Sequence, residues 1–300
     1  MTKKNITAVI TLVSKTKEFY TKHCKIVTSL IDQYEAEKLS TKKLSYLVKD
    51  FIVKLEYKQF KEIKVALKSN IFEGSDICIQ QNLFRKKKII ACDMDKTAIV
   101  NETIDLIGEK VLRSSHISEL TNMAMNGSIN FNKSIIERTK ILKGISIKDI
   151  KKTINDIKLT KGVKTVIKTL NKNNCHTMLI SGGYDLVADV IGNRIGFKEI
   201  ISNMPVEKNG KLTGKLKGNI IDGKGKLNFL KKSMQKINVK KHHTLAVGDG
   251  QNDIEMINFS GLGISWRGFP KVNKAADAIA NHSFKSVLYF QGYSDKDIES

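Results

Sequence analysis

The chain has 300 residues, of which 41% are hydrophobic, enough to bury a core of about one to three domains. No apolar run approaches the roughly 20 residues that cross a bilayer, so we expect a soluble chain without membrane spans. The formal net charge is +22, but only five arginines occur and the lysines are spread through every segment. Nucleic-acid binders cluster their cations, so we interpret this charge as solvated surface lysine and expect no nucleic-acid partner.

Residues 1–84 predict a separate α+β unit. Its expected strands are Ile6–Val13, Leu44–Val53 and Ile77–Gln80, and its expected helices are one that runs through Ile31 and one at Gln59–Ser69. The basic run Arg85–Lys88 marks the junction with the rest of the chain. Nothing in this unit has the residue pattern of a catalytic site.

From Lys88 onward, short β-branched runs alternate with amphipathic stretches, which predicts an α/β fold with a doubly wound parallel sheet. The strand candidates are Ile89–Cys92, Thr177–Ser181, Thr244–Gly248 and Leu262–Ser265. Each is followed by a polar or glycine-bearing turn. Because ligands of such sheets bind at the carboxyl ends of the strands, we expect the functional side chains in those turns.

Two segments interrupt this alternation. Residues 101–159 have the apolar spacing of several helices, which predicts a helical cap inserted over the carboxyl edge of the sheet. Ile200–Gly218 carries Asn209-Gly210 between alternating segments, a strong signal for a two-residue β-hairpin. We therefore expect a second domain at 85–300 that bears both a cap and a hairpin.

The segment Asp93-Met94-Asp95-Lys96-Thr97 directly follows the first strand of this sheet. It places two carboxylates at a strand end, where they repel each other unless a cation neutralises them. Mg²⁺ prefers oxygen-rich sites of this kind. Acidic pairs in loops are more often only solvated, so the motif depends on support from elsewhere in the chain.

Three further segments lie at predicted strand ends or helix starts. They are Ser181-Gly182-Gly183, Gly223-Lys224-Gly225 and Gly248-Asp249-Gly250-Gln251-Asn252-Asp253. The first offers a hydroxyl and backbone amides to phosphate oxygens, and the second offers the ammonium of Lys224. The third, which is the most specific, offers the carboxylates of Asp249 and Asp253 to a metal and Asn252 as a polar positioning group.

In this order, the four motifs resemble those of the haloacid dehalogenase superfamily of phosphotransferases. Three segments of the predicted cap resemble, more narrowly, the bacterial phosphoserine phosphatase family. They are Asn101-Glu102-Thr103-Ile104-Asp105, Met125-Asn126-Gly127 with Asn130-Phe131, and Glu137-Arg138 leading to Leu142-Lys143-Gly144. The resemblance implies a haloacid dehalogenase-like, Mg²⁺-dependent and cytoplasmic enzyme that hydrolyses phosphoserine in the last step of serine biosynthesis. Four scattered cysteines without a C-x-x-C pair agree with reduced thiols in a cytosol.

The resemblance also implies a role for each motif residue. Asp93 would be the nucleophile that forms an aspartyl-phosphate, and Asp95 would be the general acid and base. Mg²⁺ would bind Asp93, the Asp95 carbonyl and Asp249, with Asp253 supporting its coordination shell. The phosphoryl oxygens would be held by Ser181, Gly182, Gly183, Lys224 and Asn252.

Substrate choice would lie with the cap. Glu102 would accept the ammonium of phosphoserine, and Arg138 would clamp its carboxylate with two parallel hydrogen bonds. The alternative for both is an ordinary charge on a helix surface. Met125 and Phe131 would line the apolar wall, although the same positions suit helix core equally well.

Lys96 departs from the resemblance, because the family has a small residue there. We expect its side chain to point away from the site. The unit at 1–84 resembles the degenerate regulatory-type domains attached to some family members, which leaves open a homodimer through this unit or the binding of an amino-acid effector.

Two other kinds of function stay open at this stage. The same chemistry serves a phosphotransferase that uses another alcohol as acceptor, or a phosphatase for a different ester, and fold alone does not separate these. A basic nucleic-acid-binding module is the second alternative, although the sequence has no arginine-rich stripe or interleaved aromatic residues. A transport ATPase would need membrane spans, and the sequence has none.

Overall fold

The computed structural model describes residues 5–68, 72–112 and 115–299. Its first six elements are β1 (Asn5–Ser14), α1 (Lys17–Gln33), β2 (Glu37–Ser45), β3 (Val48–Glu56), α2 (Tyr57–Ala66) and β4 (Ser75–Gln81). The strands lie antiparallel in the order β2-β3-β1-β4, the arrangement of a βαββαβ unit. Both helices pack on one face of this sheet, where Val27 and Ile63 meet Ile10 and Leu12 in a separate hydrophobic core.

One expectation for this unit is wrong. The single strand predicted at Leu44–Val53 includes the first part of β3, but it also runs through the end of β2 and the hairpin turn, because β2 ends at Ser45 and β3 begins at Val48. The turn contains no glycine or proline that would mark it in the sequence. β2 is a lysine-rich and exposed edge strand, so it also lacks the apolar alternation that marks a strand. The predicted helix end at Ser69 lies outside the described residues.

The remaining strands form the predicted α/β sheet. They are β5 (Ile89–Cys92), β6 (His176–Tyr184), β7 (Glu199–Lys208), β8 (Lys211–Lys217), β9 (Thr244–Gly248), β10 (Leu262–Trp266) and β11 (Ala278–Ala280). The order β11-β10-β9-β5-β6-β7 is parallel throughout. The helices outside the cap are α7 (Val163–Lys172), α8 (Asp185–Ile195), α9 (Gly223–Lys236), α10 (Ile254–Phe259), α11 (Pro270–Ala275) and α12 (Ser286–Phe290). The doubly wound parallel sheet is confirmed.

The N-terminal strands continue this sheet instead of lying apart from it. β4 pairs antiparallel with β11 at Ile77 and Ile279, which gives one sheet of 11 strands. Beside this pairing, the carboxylate of Asp76 accepts backbone N–H groups of Asn281 (2.7 Å) and Ser283 (3.1 Å). The division at residue 84 stays a prediction, but the two parts share hydrogen bonds.

The cap consists of helices, as expected. They are α3 (Thr103–Ile107), α4 (His116–Met125), α5 (Phe131–Ile141) and α6 (Ile147–Thr153). β7 and β8 form the predicted hairpin, and its two turn residues have positive φ angles, 53° at Asn209 and 72° at Gly210. The hairpin also touches the cap, because Leu212 exchanges two backbone hydrogen bonds with Gly144 and Ile145. Among the helices of the described residues, none is long and apolar enough to cross a membrane.

Candidate active site

The candidate site lies where the chain reverses its direction across the sheet. From β5 the chain proceeds to β6 on one side and later returns to β9 on the other, so β5 lies at a topological switch point. Asp93 is the first residue after β5, and its backbone N–H donates to Val247 O of β9 (3.0 Å). A crevice opens at the carboxyl ends of the strands in this position. The sheet therefore places Asp93 at the base of a pocket.

Lys226 is the cation that contacts this carboxylate. Its ammonium group donates to Oδ1 of Asp93 and to Oδ1 of Asp253, the latter at 2.7 Å, and the side chain is 0% exposed. Burial acts to lower its pKa, but the carboxylates of Asp253 and Asp93 outweigh this and raise the pKa above the ordinary value. Lys226 is therefore a fixed positive charge beside Asp93.

This finding corrects the prediction of Lys224. The residue is exposed and lines a different cavity, beside Asp222 and Phe229. Lys226 shares the buried face of α9 with Leu230 and Ser233, at the i, i+4 and i+7 spacing of a helix. Lys224 lies two residues earlier, about 200° around the helix axis, and so faces away.

Asp95 connects the first motif to the cap through its hydrogen bonds. Its Oδ1 accepts the backbone N–H of Thr103 at the start of α3 (2.6 Å), and its Oδ2 accepts the hydroxyl of Ser181 (3.3 Å). The amide of Gly183 in turn donates to the Ser181 oxygen (2.9 Å). Burial raises the pKa of Asp95 above its usual range. A carboxyl group whose proton is retained more readily than usual suits general acid catalysis.

Three buried carboxylates lie close together: Asp93, Asp249 and Asp253. One oxygen from each lies within 4.8 Å of the other two, close enough to reach a common metal ion. Burial and the neighbouring Asp253 carboxylate raise the pKa of Asp249 to about 8, and the same two causes raise that of Asp93 well above its usual range. Lys226 neutralises only part of this charge. The donor set of buried carboxylate oxygens therefore fits a hard divalent cation such as Mg²⁺.

Hydrogen bonds to the protein fix the orientation of Asp249 and Asp253 in this acidic cluster. Thr97 donates its hydroxyl to Oδ1 of Asp249 (2.9 Å). Oδ2 of Asp253 accepts the amides of Asp249 (3.1 Å) and Gly250 (3.0 Å). Asp249 thus has one oxygen in a hydrogen bond with the protein and Asp253 has both, so their orientation does not depend on a bound ion.

The cap contributes the opposite wall of the pocket. Arg138 of α5 is 2% exposed, and its Nε is buried without a hydrogen-bond partner. Burial, followed by the charges of Asp95 and Asp249, raises the pKa of Glu102 well above its usual range. A buried guanidinium with a free N–H and a partly buried carboxyl group are the groups that would bind a carboxylate and an ammonium.

The apolar part of the wall is closely packed against the glycine-bearing turns. A Cβ added to Gly182 would lie 2.6 Å from Cζ of Phe131, and one added to Gly250 would lie 2.7 Å from Sδ of Met125. Met125 and Phe131 therefore lie at the pocket. Beyond these two, the predicted residues that line it are Asp93, Asp95, Glu102, Arg138, Gly182, Gly183, Asp249 and Asn252, while Ser181 and Asp253 adjoin it through the hydrogen bonds above.

Lys96 has a left-handed backbone conformation, with φ of 55°. Its side chain is exposed, as expected, and lines an outer cavity with Glu102 and Asp105. Only glycine adopts this conformation freely, so Lys96 carries a backbone strain that a glycine at this position would avoid.

Asn203 of β7 is a residue that sequence reasoning missed. It is buried, its Nδ2 donates to Gly182 O (2.8 Å), and its Oδ1 accepts the backbone N–H of Ile221 (2.8 Å). It thereby links the turn after Ser181 to the loop that leads into α9 and Lys226. A single asparagine within a strand carries no local signal of this role.

A buried carboxylate after β5, a second carboxyl group two residues later and a buried cation at the switch point of a capped α/β sheet are the features of a hydrolase of the haloacid dehalogenase-like class. Residues 90–258, more than half of the chain, match the haloacid dehalogenase-like hydrolase family. The chain belongs to this family, and its relatives include phosphoserine phosphatases from bacteria, archaea and yeasts.

Two of these similarities extend over nearly the whole chain. The phosphoserine phosphatase of Saccharomyces cerevisiae is 35% identical over 266 residues, which is 86% of this chain and 86% of the relative. A haloacid dehalogenase family hydrolase from Salmonella enterica serovar Typhi covers 96% of this chain and 99% of its own, with a TM-score of 0.83 at 24% identity. The second similarity shows that the N-terminal unit belongs to a shared fold.

A third similarity concerns the sheet and its cap. A solved structure described as a substrate-bound phosphoserine phosphatase complex is 32% identical, with a TM-score of 0.66, and covers 68% of this chain and 98% of its own. The resemblance expected from the motifs is therefore confirmed.

Proposed function

We propose that this enzyme hydrolyses O-phospho-L-serine to L-serine and phosphate, the last step of serine biosynthesis, with Mg²⁺ as its cofactor. The observation that carries the proposal is the pair of ionisable groups on the cap wall, the partly buried Glu102 and the buried Arg138, which line the same pocket as Asp93. Phosphoserine is a phosphate ester that bears one ammonium and one carboxylate. Relatives named phosphoserine phosphatase give independent support.

The first step is the attack of Asp93 on the phosphorus atom. A carboxylate oxygen forms a bond to phosphorus, and the bond between phosphorus and the serine oxygen breaks. Asp95 donates its proton to that departing oxygen, which leaves as the hydroxyl of serine. The raised pKa of Asp95 keeps this proton available at the start of the cycle.

The second step hydrolyses the aspartyl-phosphate. Asp95, now a carboxylate, takes a proton from water, and the resulting hydroxide attacks phosphorus. The acyl-phosphate bond breaks, which restores Asp93 as a carboxylate and releases inorganic phosphate. Asp95 regains its proton in the same step and is ready for the next cycle.

The phosphoryl group would be held by groups that stay fixed through both steps. Lys226 supplies a positive charge beside Asp93, and Ser181, the Gly182 amide and Asn252 supply hydrogen bonds. Donors that are already aligned stabilise charge in the transition state without reorganisation. Ser181 also contacts Asp95, so one hydroxyl adjoins both the acid and the phosphoryl position.

Mg²⁺ would be held by Asp93, the Asp95 carbonyl and Asp249, with Asp253 behind them, where it offsets the repulsion between the nucleophile and the phosphoryl oxygens. Both oxygens of Asp253 already accept hydrogen bonds, one from Lys226 and the other from two backbone amides, which supports a role for Asp253 behind the ligands. Chelation of Mg²⁺ is therefore expected to abolish activity, and added Mg²⁺ to restore it.

The test compares esters that differ in one charged group. Phosphate release would be measured from O-phospho-L-serine, from phosphoethanolamine, which lacks the carboxylate, and from the phosphate ester of 3-hydroxypropionate, which lacks the ammonium. We expect phosphoserine to be preferred by the wild type and the preference over phosphoethanolamine to be lost in Arg138→Ala. Rapid hydrolysis of other esters without hydrolysis of phosphoserine would leave the chemistry in place and reject the substrate.

The proposal also covers the cellular location and the oligomeric state. A cytoplasmic location is supported by four free cysteines: Cys24, Cys78, Cys92 and Cys175. A homodimer through the N-terminal unit is supported by the uncovered edge of β2, and the mass of the full chain in solution tests it.

A further inference from the structure

Arg138 is held in the cap by a chain of hydrogen bonds that ends on a carboxylate. Its Nη1 donates to the hydroxyl oxygen of Thr121 on α4 (2.9 Å). The Thr121 hydroxyl in turn donates to Oδ1 of Asp105 on α3. The hydroxyl has only one proton, and its two acceptors are the Asp105 carboxylate and, at 3.1 Å, the backbone oxygen of Ile117. Asp105 is the nearer and the charged acceptor, so the direction of the chain runs from Arg138 through Thr121 to Asp105.

This chain leaves one edge of the guanidinium available. Nη1 is used by Thr121, whereas the edge formed by Nε and Nη2 is the one that meets a carboxylate in two parallel hydrogen bonds. Nε is buried without a partner. Among the ion pairs of residues 5–68, 72–112 and 115–299, none involves Arg138. The guanidinium is therefore oriented by a neutral group and keeps its charge for a ligand.

We propose that Thr121 and Asp105 are positioning residues that set the specificity of Arg138 for the substrate carboxylate. The inference deepens the proposed function and rests on it. Thr121 acts as a spacer: it holds Arg138 from the side opposite the free edge and keeps the carboxylate of Asp105 from pairing with that edge. Asp105 polarises the Thr121 hydroxyl and so strengthens the bond that the hydroxyl accepts.

A direct Arg138–Asp105 ion pair would defeat this arrangement. The Arg138 guanidinium and the Asp105 carboxylate both bond to the Thr121 hydroxyl, so a single oxygen atom separates them. If Thr121 lost its hydroxyl, Nη1 and Asp105 would both be left without their partner in the cap. Re-pairing of these two groups would turn the guanidinium away from the substrate.

The experiment measures kcat/KM of the full-length enzyme for O-phospho-L-serine and for phosphoethanolamine in wild type and Thr121→Val. We expect Thr121→Val to lower kcat/KM for phosphoserine by about tenfold or more, mainly through KM, because a hydrogen bond to a charged group is lost. The value for phosphoethanolamine should change by less than about threefold, since that ester has no carboxylate for Arg138. Thr121→Ser keeps the hydroxyl and should restore the wild-type ratio.

Thr153→Val is the matched control, because Thr153 is also a buried threonine of a cap helix but bonds only to its own helix, at Ile150 O. It should leave the ratio of the two substrates unchanged. Asp105→Asn, which can still accept from Thr121, should shift the ratio less than Thr121→Val does. Equal losses for both esters in Thr121→Val would overturn the inference and leave the proposed function standing, whereas a wild type that does not hydrolyse phosphoserine would overturn both.

Discussion

The ammonium of Lys226 contacts Oδ1 of Asp93, although the two residues lie on different elements and 133 positions apart in the chain. The same ammonium reaches Asp253, so one buried cation connects the strand end after β5 to the loop after β9. This contact explains how a nucleophilic carboxylate can lie in a site that already contains several acidic groups.

The two lysines at the start of α9 are predicted to differ sharply. Lys226→Met removes the fixed cation beside the phosphoryl position, and we expect kcat to fall by about a hundredfold or more. Lys224→Met is the matched control and should stay within about twofold, because its side chain is exposed and distant from the pocket. Steady-state phosphate release measures both. A large loss in Lys224→Met with a small one in Lys226→Met would reverse the assignment.

Phe131 and Gly182 are predicted to be coupled. Gly182→Ala places a methyl group 2.6 Å from the Phe131 ring, so the ring must move and the pocket changes shape. We expect kcat/KM to fall by about tenfold or more in Gly182→Ala and to recover in part when Phe131→Leu is added. The double-mutant cycle checks this. Strictly additive losses would show that the two residues act separately.

Asn203 is predicted to support the site from behind. In Asn203→Ala, Gly182 O and the Ile221 N–H lose their buried partner, and each unsatisfied group costs about 1–3 kcal/mol of unfolding free energy. We also expect kcat to fall by about tenfold, since the Gly182 amide shifts. Urea unfolding and steady-state assays measure the two effects. Asn228→Ala, at an exposed position of α9, is the control; a loss of stability without any loss of kcat would limit Asn203 to a structural role.

Arg85 is predicted to hold the N-terminal unit on the rest of the molecule. Its guanidinium bonds both oxygens of Asp50, each at 2.7 Å, and Nε donates to Phe290 O (2.8 Å). Arg85→Met leaves Asp50 buried and unpaired, and we expect a loss of about 3–5 kcal/mol in unfolding free energy. The exposed Arg194→Met should change it by no more than about 0.5 kcal/mol. A stability like that of the wild type in Arg85→Met would mean that the two parts are only loosely joined.

The sequence predicted the parts of this molecule that depend on local signals. Strands such as Ile89–Cys92 and Thr244–Gly248 coincide with the observed ones, since short apolar runs before polar turns are unambiguous in an α/β chain. The motifs likewise placed Asp93, Asp249 and the cap residues at one pocket. The predicted phosphate-binding lysine, Lys224, does not lie beside Asp93, whereas Lys226 does, because two lysines flank one glycine and only the phase of the helix separates them.

Contacts between distant segments could not be predicted in the same way. Asn203, Thr121 and Asp76 each act through partners that lie far away in the chain or on other elements, and no periodicity records such pairings. The junction near residue 84 looked like a boundary because its basic run is visible in the local sequence. The strand pairing of Ile77 with Ile279 joins residues far apart in the chain, so no local feature indicates it.

The most direct test of the account asks whether Asp93 receives the phosphoryl group of O-phospho-L-serine. The enzyme would be mixed with phosphoserine and Mg²⁺, quenched in acid during turnover and treated with borohydride, which reduces an acyl phosphate to an alcohol and so converts the modified aspartate to homoserine. We predict homoserine at position 93 in the wild type and none in Asp93→Asn, which should also release no phosphate. Homoserine at another aspartate, or undiminished phosphate release by Asp93→Asn, would contradict the account.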